Sequence, residues 1–267
     1  MTHSRQPGGR GTGDCDVRSN RIHRIAPKPQ PHLLLLPAVW LLGVVLGCDA
    51  ELSQRSFARD ASGFSRWETA IARFEQQDRK EPPPKNGVLF VGSSSIRLWD
   101  LRKSFPGKSY LNRGFGGSEI ADSIHFADRL IMKHEPRIVI LYAGDNDLDR
   151  GKTPERVHAD FKAFAAKIHS ELPRTGILFI AIKPSLRRWK LVDSIREANR
   201  LIGTTCGTDK RLSFVDIFRP MLGTDGRPRP ELFVKDGLHL SEAGYKLWSS
   251  KVLASIEQME AASAKSR

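Results

Sequence analysis

Asp236 and His239 stand three residues apart in the run Val-Lys-Asp236-Gly-Leu-His239-Leu-Ser-Glu-Ala-Gly244-Tyr near the C-terminus. A carboxylate so placed can hold one nitrogen of an imidazole in the right tautomer and leave the other free to act as a base. A base of this kind serves a nucleophile, and far upstream the apolar run Val88-Leu-Phe-Val91 leads straight into Gly92-Ser93-Ser94-Ser95-Ile96. A serine hydroxyl attacks poorly until a neighbouring imidazole takes its proton, so the candidate is a serine hydrolase. Alone, Asp-x-x-His also fits a turn before a helix start, because Ser241, Glu242 and Gly244 are ordinary capping and turn residues.

Two further blocks give the pair company. After Lys108-Ser-Tyr-Leu111 comes Asn112-Arg-Gly114-Phe-Gly116-Gly117-Ser118-Glu119, and after Arg137-Ile-Val-Ile-Leu-Tyr-Ala143 comes Gly144-Asp145-Asn146-Asp147. Each block reads as a strand running into a loop. In a parallel sheet such junctions share the carboxyl edge, so the serines, the glycines and Asn146 converge on one crevice. A backbone N–H at Gly117 and the side-chain amide of Asn146 are donors suited to a developing oxyanion.

These four blocks resemble the SGNH, or GDSL-like, hydrolase family over roughly residues 86–256, with Ser, Gly, Asn and His each drawn from one block in this order. The resemblance implies a flavodoxin-like α/β fold and a Ser-His-Asp acyl-enzyme mechanism. Carried over by position, Ser94 is the nucleophile and first oxyanion donor, Gly117 the second and Asn146 the third, with Asp236 and His239 completing a triad. Ser94 is chosen over Ser93 and Ser95 because it stands second after Gly92, as in the family; its neighbours read as helix N-cap or first-turn residues. The chain departs from the family twice: Ser93 replaces the usual Asp before the nucleophile, and Asp145 adds a charge beside Asn146.

Competing motifs fail on the same residues. The third glycine of a dinucleotide fingerprint starting at Gly114 would fall on Glu119, and a calcium loop starting at Asp145 would need glycine at Arg150 and glutamate at Arg156. No Gly-x-Ser-x-Gly elbow, phosphate-loop Gly-Lys-Ser/Thr or His-Glu-x-x-His occurs in the sequence. No metal and no cofactor is implied. The net charge of +13 over 267 residues is spread along the chain rather than clustered, so it reads as a solvated surface and not as a nucleic-acid face.

Residues 33–46 form an apolar run of signal-peptide length, preceded by Arg18, Arg21, Arg24 and Lys28 and followed by Val45-Leu46-Gly47-Cys48. The last four residues resemble a bacterial lipobox, which implies lipidation of Cys48; an uncleaved membrane anchor is the other reading. Either way the catalytic domain is expected to be exported and held at the cell envelope. With Cys15 and Cys48 in the leader, only Cys206 remains in the domain, so no intramolecular disulfide is expected.

The elements that must position the site follow from the hydrophobic pattern. Apolar runs at 88–91, 108–111, 137–143, 176–182 and 212–217 alternate with helical patterns at about 118–133, 154–171, 189–203 and 241–258. That alternation predicts a three-layer α/β sandwich with a five-stranded parallel sheet between helices. Ser65 to Lys80 reads as an amphipathic helix stopped by Glu81-Pro-Pro-Pro-Lys. The expected organisation is a leader at 1–48, a tether at 49–64, the hydrolase domain at 65–258 and a tail at 259–267.

The loops around the crevice are polar and offer Arg113, Asp145, Asp149, Arg187 and Arg188, of which Arg113, Asp145 and Arg187 are the expected substrate contacts. Lys183-Pro184-Ser185 ends the fourth strand and reads equally as a stop signal or as part of the crevice. Since the apolar segments are taken up by strands and amphipathic helices, a short acyl group such as acetyl on a polar alcohol, for instance an envelope carbohydrate, is the expected substrate. The alternatives are a lysophospholipase- or thioesterase-type hydrolase, an O-acyltransferase on the same triad, and a non-catalytic envelope binding protein.

Overall fold

The computed structural model describes residues 63–265. The expected leader with Cys48 and most of the expected tether therefore lie outside the described residues.

Strands β1 (Val88–Gly92), β2 (Leu111–Gly114), β3 (Ile138–Tyr142), β4 (Gly176–Ile180) and β5 (Leu212–Val215) form one sheet in the order β2-β1-β3-β4-β5. Every neighbouring pair is parallel. β1 and β3 are buried along their whole lengths, which is why Val88-Leu-Phe-Val and Ile138-Val-Ile-Leu-Tyr are continuous apolar runs and not alternating ones. The reversal of chain direction across the sheet falls between β1 and β3, where an open parallel sheet leaves a crevice at its carboxyl edge.

The helices cover both faces. α1 (Glu68–Lys80) precedes β1; short helices α2 (Ser94–Arg97) and α3 (Leu101–Ser104) follow it; α4 (Ile120–His125) and α5 (Ala127–Leu130) follow β2. α6 (Asp145–Asp149) and α7 (Pro154–Glu171) follow β3, α8 (Val192–Cys206) follows β4, and α9 (Glu242–Lys265) closes the chain. α7 packs against α4 and α8, whereas α9 packs on β4, β5 and α3. Under α9 the fully buried Trp248 meets Tyr142 at 4.8 Å and Trp99 at 5.7 Å between ring centroids. Thr153 caps α7 by accepting a hydrogen bond from the Arg156 amide, with Pro154 in the first turn.

Several boundaries differ from the sequence pattern. β2 begins at Leu111 rather than ending there, so Asn112 and Arg113 lie in the strand. The Asn112 amide is used there, donating to the carbonyls of Ile96 and Trp99, while its oxygen accepts from Gly114 N. The single helix expected over 118–133 is broken into α4, α5 and a 3-10 turn at Met132–His134, with Phe126 at the first break. At the C-terminus α9 continues to Lys265, into the stretch expected to be a tail. Phe64, within the expected tether, stacks on His125 at 3.9 Å.

Candidate active site

Ser94 opens α2 directly after β1. Gly92 makes that turn feasible: its φ is +131°, and a Cβ there would stand 1.9 Å from the carbonyl oxygen of Tyr142 on β3. Only glycine lets the strand approach its neighbour so closely while turning the chain out of the sheet. Tyr245 of α9 donates its hydroxyl to the Ser95 carbonyl at 3.0 Å, tying the turn that carries Ser94 to the last helix.

Asp236 and His239 lie on the turn before α9. His239 Nε2 is 3.0 Å from Ser94 Oγ, and His239 Nδ1 is 2.6 Å from Asp236 Oδ2. A carboxylate accepts, so Nδ1 carries the ring proton and Nε2 is left as the acceptor for the serine hydroxyl. Asp236 Oδ1 accepts from the amides of Leu238 at 2.8 Å and His239 at 2.9 Å. Desolvation alone would raise this carboxyl, but hydrogen bonds from the His239 ring and the two amides outweigh it and hold it at about 2. The group is therefore a fixed anion behind the imidazole.

Gly117 lies in the turn after β2 with φ +77°, and Asn146 lies in α6 after β3. The three proposed donors thus come from the carboxyl ends of three adjacent strands. Asn146 Nδ2 donates to the Ser118 carbonyl at 2.9 Å, which joins the second block to the third. Asp147 strengthens the same joint by accepting from Lys152 Nζ at 2.8 Å and from the Ile120 amide at 3.3 Å.

The expected substrate contacts are distributed differently. Arg113 is 2% exposed; its guanidinium pairs with Asp78 of α1 and lies 5.0 Å from the Phe74 ring centre, so it is committed to packing rather than to the crevice. Asp145 is also buried; its Oδ2 accepts from Lys183 Nζ at 2.8 Å and forms an ion pair with Arg188 Nη1 at 3.2 Å. Burial would raise its carboxyl, yet these two cations bring it below the usual value. The charge that sets this chain apart from the family pattern is thereby neutralised inside the protein. Arg187 is exposed, and its backbone amide donates to the Gly237 carbonyl at 3.0 Å, within the turn that carries Asp236 and His239.

Two side chains near the site carry more than the sequence pattern indicates. Lys183 also reaches Tyr142 Oη at 2.9 Å and Ser95 Oγ at 3.3 Å, so all its contacts lie behind the nucleophile's turn. Arg188, not its neighbour Arg187, reaches Asn146. A lysine ending a wholly apolar strand, opposite an aspartate in a neighbouring block, is the signal that a buried pair could have been sought there. Among the described residues no cluster of His, Cys, Asp and Glu is arranged to hold a metal ion.

A parallel α/β sheet with serine, imidazole and carboxylate in sequence at its carboxyl edge has the architecture of a hydrolase. The chain belongs to the GDSL-like lipase/acylhydrolase family, whose model matches residues 97–247, and it is a hydrolase acting on ester bonds. The match starts just past Ser94 and includes Gly117, Asn146, Asp236 and His239. No curated protein matches the chain. Among solved structures it is similar to a Streptococcus pneumoniae protein provisionally described as a platelet activating factor (21% identity, TM-score 0.64, 74% of this chain and 98% of the other). It is also similar to a GDSL-like lipase from Bacteroides thetaiotaomicron (18%, 0.61, 70% and 97%). A third is a catalytic mutant of an acetylxylan esterase from Geobacillus stearothermophilus (14%, 0.53, 64% and 94%). At these identities the likeness speaks for the fold.

Proposed function

We propose that the chain cleaves short, acetyl-type carboxylic esters through a covalent acyl-Ser94 intermediate. His239 Nε2 takes the Ser94 proton as the oxygen attacks the ester carbonyl, and returns it to the departing alcohol. Water then repeats the cycle on the acyl-enzyme. Asp236 holds the imidazole tautomer and balances the charge it gains. The backbone N–H groups of Ser94 and Gly117 and the Asn146 amide receive the oxyanion. The observation that carries this reading is the unbroken chain of contacts from Ser94 Oγ through His239 to Asp236, at 3.0 and 2.6 Å.

The direct test is covalent labelling with a fluorophosphonate. The wild-type chain should be labelled on Ser94, and Ser94→Ala should lose both labelling and nearly all ester hydrolysis while retaining its circular dichroism spectrum. Labelling or full turnover in Ser94→Ala would place the nucleophile elsewhere; a wild-type chain that is never labelled would favour a binding protein.

The acetyl preference rests on the charged surroundings, where Arg188 and Asp149 border the Asn146 side and the exposed Arg187 is held at the turn that carries Asp236 and His239. One observation favours a longer acyl chain. Leu98, Leu186 and Val234 are exposed at 44%, 41% and 46%, and all three flank the site. The Leu98 amide bonds to the Ser94 carbonyl, the Val234 amide bonds to the His239 carbonyl, and Leu186 packs at Gly237. A cleft of about 540 Å³ runs past Leu98, Val234, Leu240 and Tyr245. Specificity constants from acetyl to palmitoyl p-nitrophenyl esters decide between the two: a maximum at two to four carbons is expected, and a maximum at ten or more would assign that cleft to the acyl chain.

A further inference from the structure

Arg188 is spent on the one amide in the site whose orientation matters for the reaction. Its Nη1 and Nη2 both stand 3.0 Å from Asn146 Oδ1. Nη2 also donates to Asp149 Oδ2 at 3.0 Å, and Nη1 lies 3.2 Å from Asp145 Oδ2. The side chain is only 12% exposed, so its donors face these three residues rather than solvent.

An asparagine amide can turn end for end, exchanging a donor for an acceptor at the same place. Presented the wrong way round, Asn146 would turn an oxygen toward the negative charge it is proposed to stabilise. Its surroundings forbid this. A guanidinium has donors only, so Oδ1 must face Arg188, and the Ser118 carbonyl can only accept, so Nδ2 must face Ser118. A flipped amide would set donor against donor at one end and oxygen against oxygen at the other. The guanidinium is itself fixed by two carboxylates, and Asp145 is in turn held by Lys183 at 2.8 Å. A positive charge at Oδ1 also draws electron density from the amide nitrogen, which makes its N–H groups better donors.

We propose that Arg188 is a positioning residue that locks the Asn146 amide so that the Nδ2 hydrogen not given to Ser118 is held for the reacting carbonyl, anchored by Asp145 and Asp149. The proposal rests on the reading of Asn146 as an oxyanion donor. It also accounts for Asp145, the departure from the family pattern beside Asn146, which seats the guanidinium.

The test is a double-mutant cycle on p-nitrophenyl acetate with Arg188→Ala, Asn146→Ala and both together, kcat and KM being measured separately. Removing the donor itself should lower kcat by about a hundredfold. Arg188→Ala should lower kcat by about tenfold or more with KM within about threefold, and should add less than about twofold on the Asn146→Ala background, because it acts through that amide. Guanidinium ion at millimolar concentration should restore part of the kcat of Arg188→Ala and none of the double variant's. Independent, multiplicative losses would overturn the proposal, as would an effect confined to KM, which would make Arg188 a substrate contact. If Arg188→Ala fails to fold, Arg188→Lys carries the same cycle, since an ammonium keeps the charge but not the two-pronged grip. Unchanged kcat in Asn146→Ala would sink the oxyanion assignment and this proposal with it; a loss there with none in Arg188→Ala would sink this proposal alone.

Discussion

Asp236 keeps its negative charge down to about pH 2, because the His239 ring and two backbone amides more than offset the desolvation of the carboxyl. With the folded value below the free one, its contribution to stability is complete above about pH 4 and is lost as pH falls toward 2. Denaturation midpoints between pH 4 and 2 should therefore fall less steeply in Asp236→Asn than in the wild type. The same substitution should lower kcat by on the order of a thousandfold from pH 5 to 9, since a neutral amide no longer dictates the imidazole tautomer. A loss much smaller than that would mean the His239 contacts with backbone and Ser94 suffice to orient the ring. At this scale the sequence is informative wherever a role depends on local spacing: Asp236 to His239 is three residues. It misleads at Arg113, whose guanidinium is spent on Asp78, and it passes over Arg188, because which arginine reaches Asn146 depends on how the loop between β4 and α8 folds and on which carboxylates wait there. No spacing rule carries that.

Between elements, the pairing of Asp78 on α1 with Arg113 on β2 fastens the first helix to the edge of the sheet. Lys133 also reaches Asp78 Oδ2, at 2.7 Å. Arg113 is 2% exposed, so Asp78→Ala would strand its charge inside the protein, at an expected cost of about 3 kcal/mol or more in chemical denaturation. KM for p-nitrophenyl acetate should not change; a raised KM with unaltered stability would return Arg113 to substrate binding. The strands and the long helices α7, α8 and α9 are legible because their apolar runs and 3.6-residue periods extend over many residues. β2 lies three residues further on than its apolar run, because three of its four residues are Asn112, Arg113 and Gly114, polar or small residues tolerated in a strand only since Asp78, Ile96 and Trp99 satisfy them. The helix over 118–133 looks continuous in the sequence because its apolar period carries across Phe126, where the backbone leaves helical geometry.

For the whole chain, the expected leader and the lipidation expected at Cys48 would decide where the hydrolase works. If Cys48 is lipidated, Cys48→Ser should either leave the leader uncleaved or release the protein from the membrane fraction, as seen by fractionation and intact mass. Unchanged mass and fractionation would favour an uncleaved anchor. Among the described residues no helix is long and apolar enough to cross a membrane. A consequence of a different kind follows from the distance along the chain between the two groups that meet at the site. Ser94 and His239 are 145 residues apart, with β2 to β5 and their crossovers between them. At a synthesis rate of about 5–20 residues per second, roughly 7 to 30 s separate the appearance of Ser94 from that of His239. On the proposed mechanism, a growing chain, or one cut between Ser94 and His239 and separated from the remainder, is thus a serine without a base: esters near the ribosome meet an unarmed protein until the turn that carries His239 is in place.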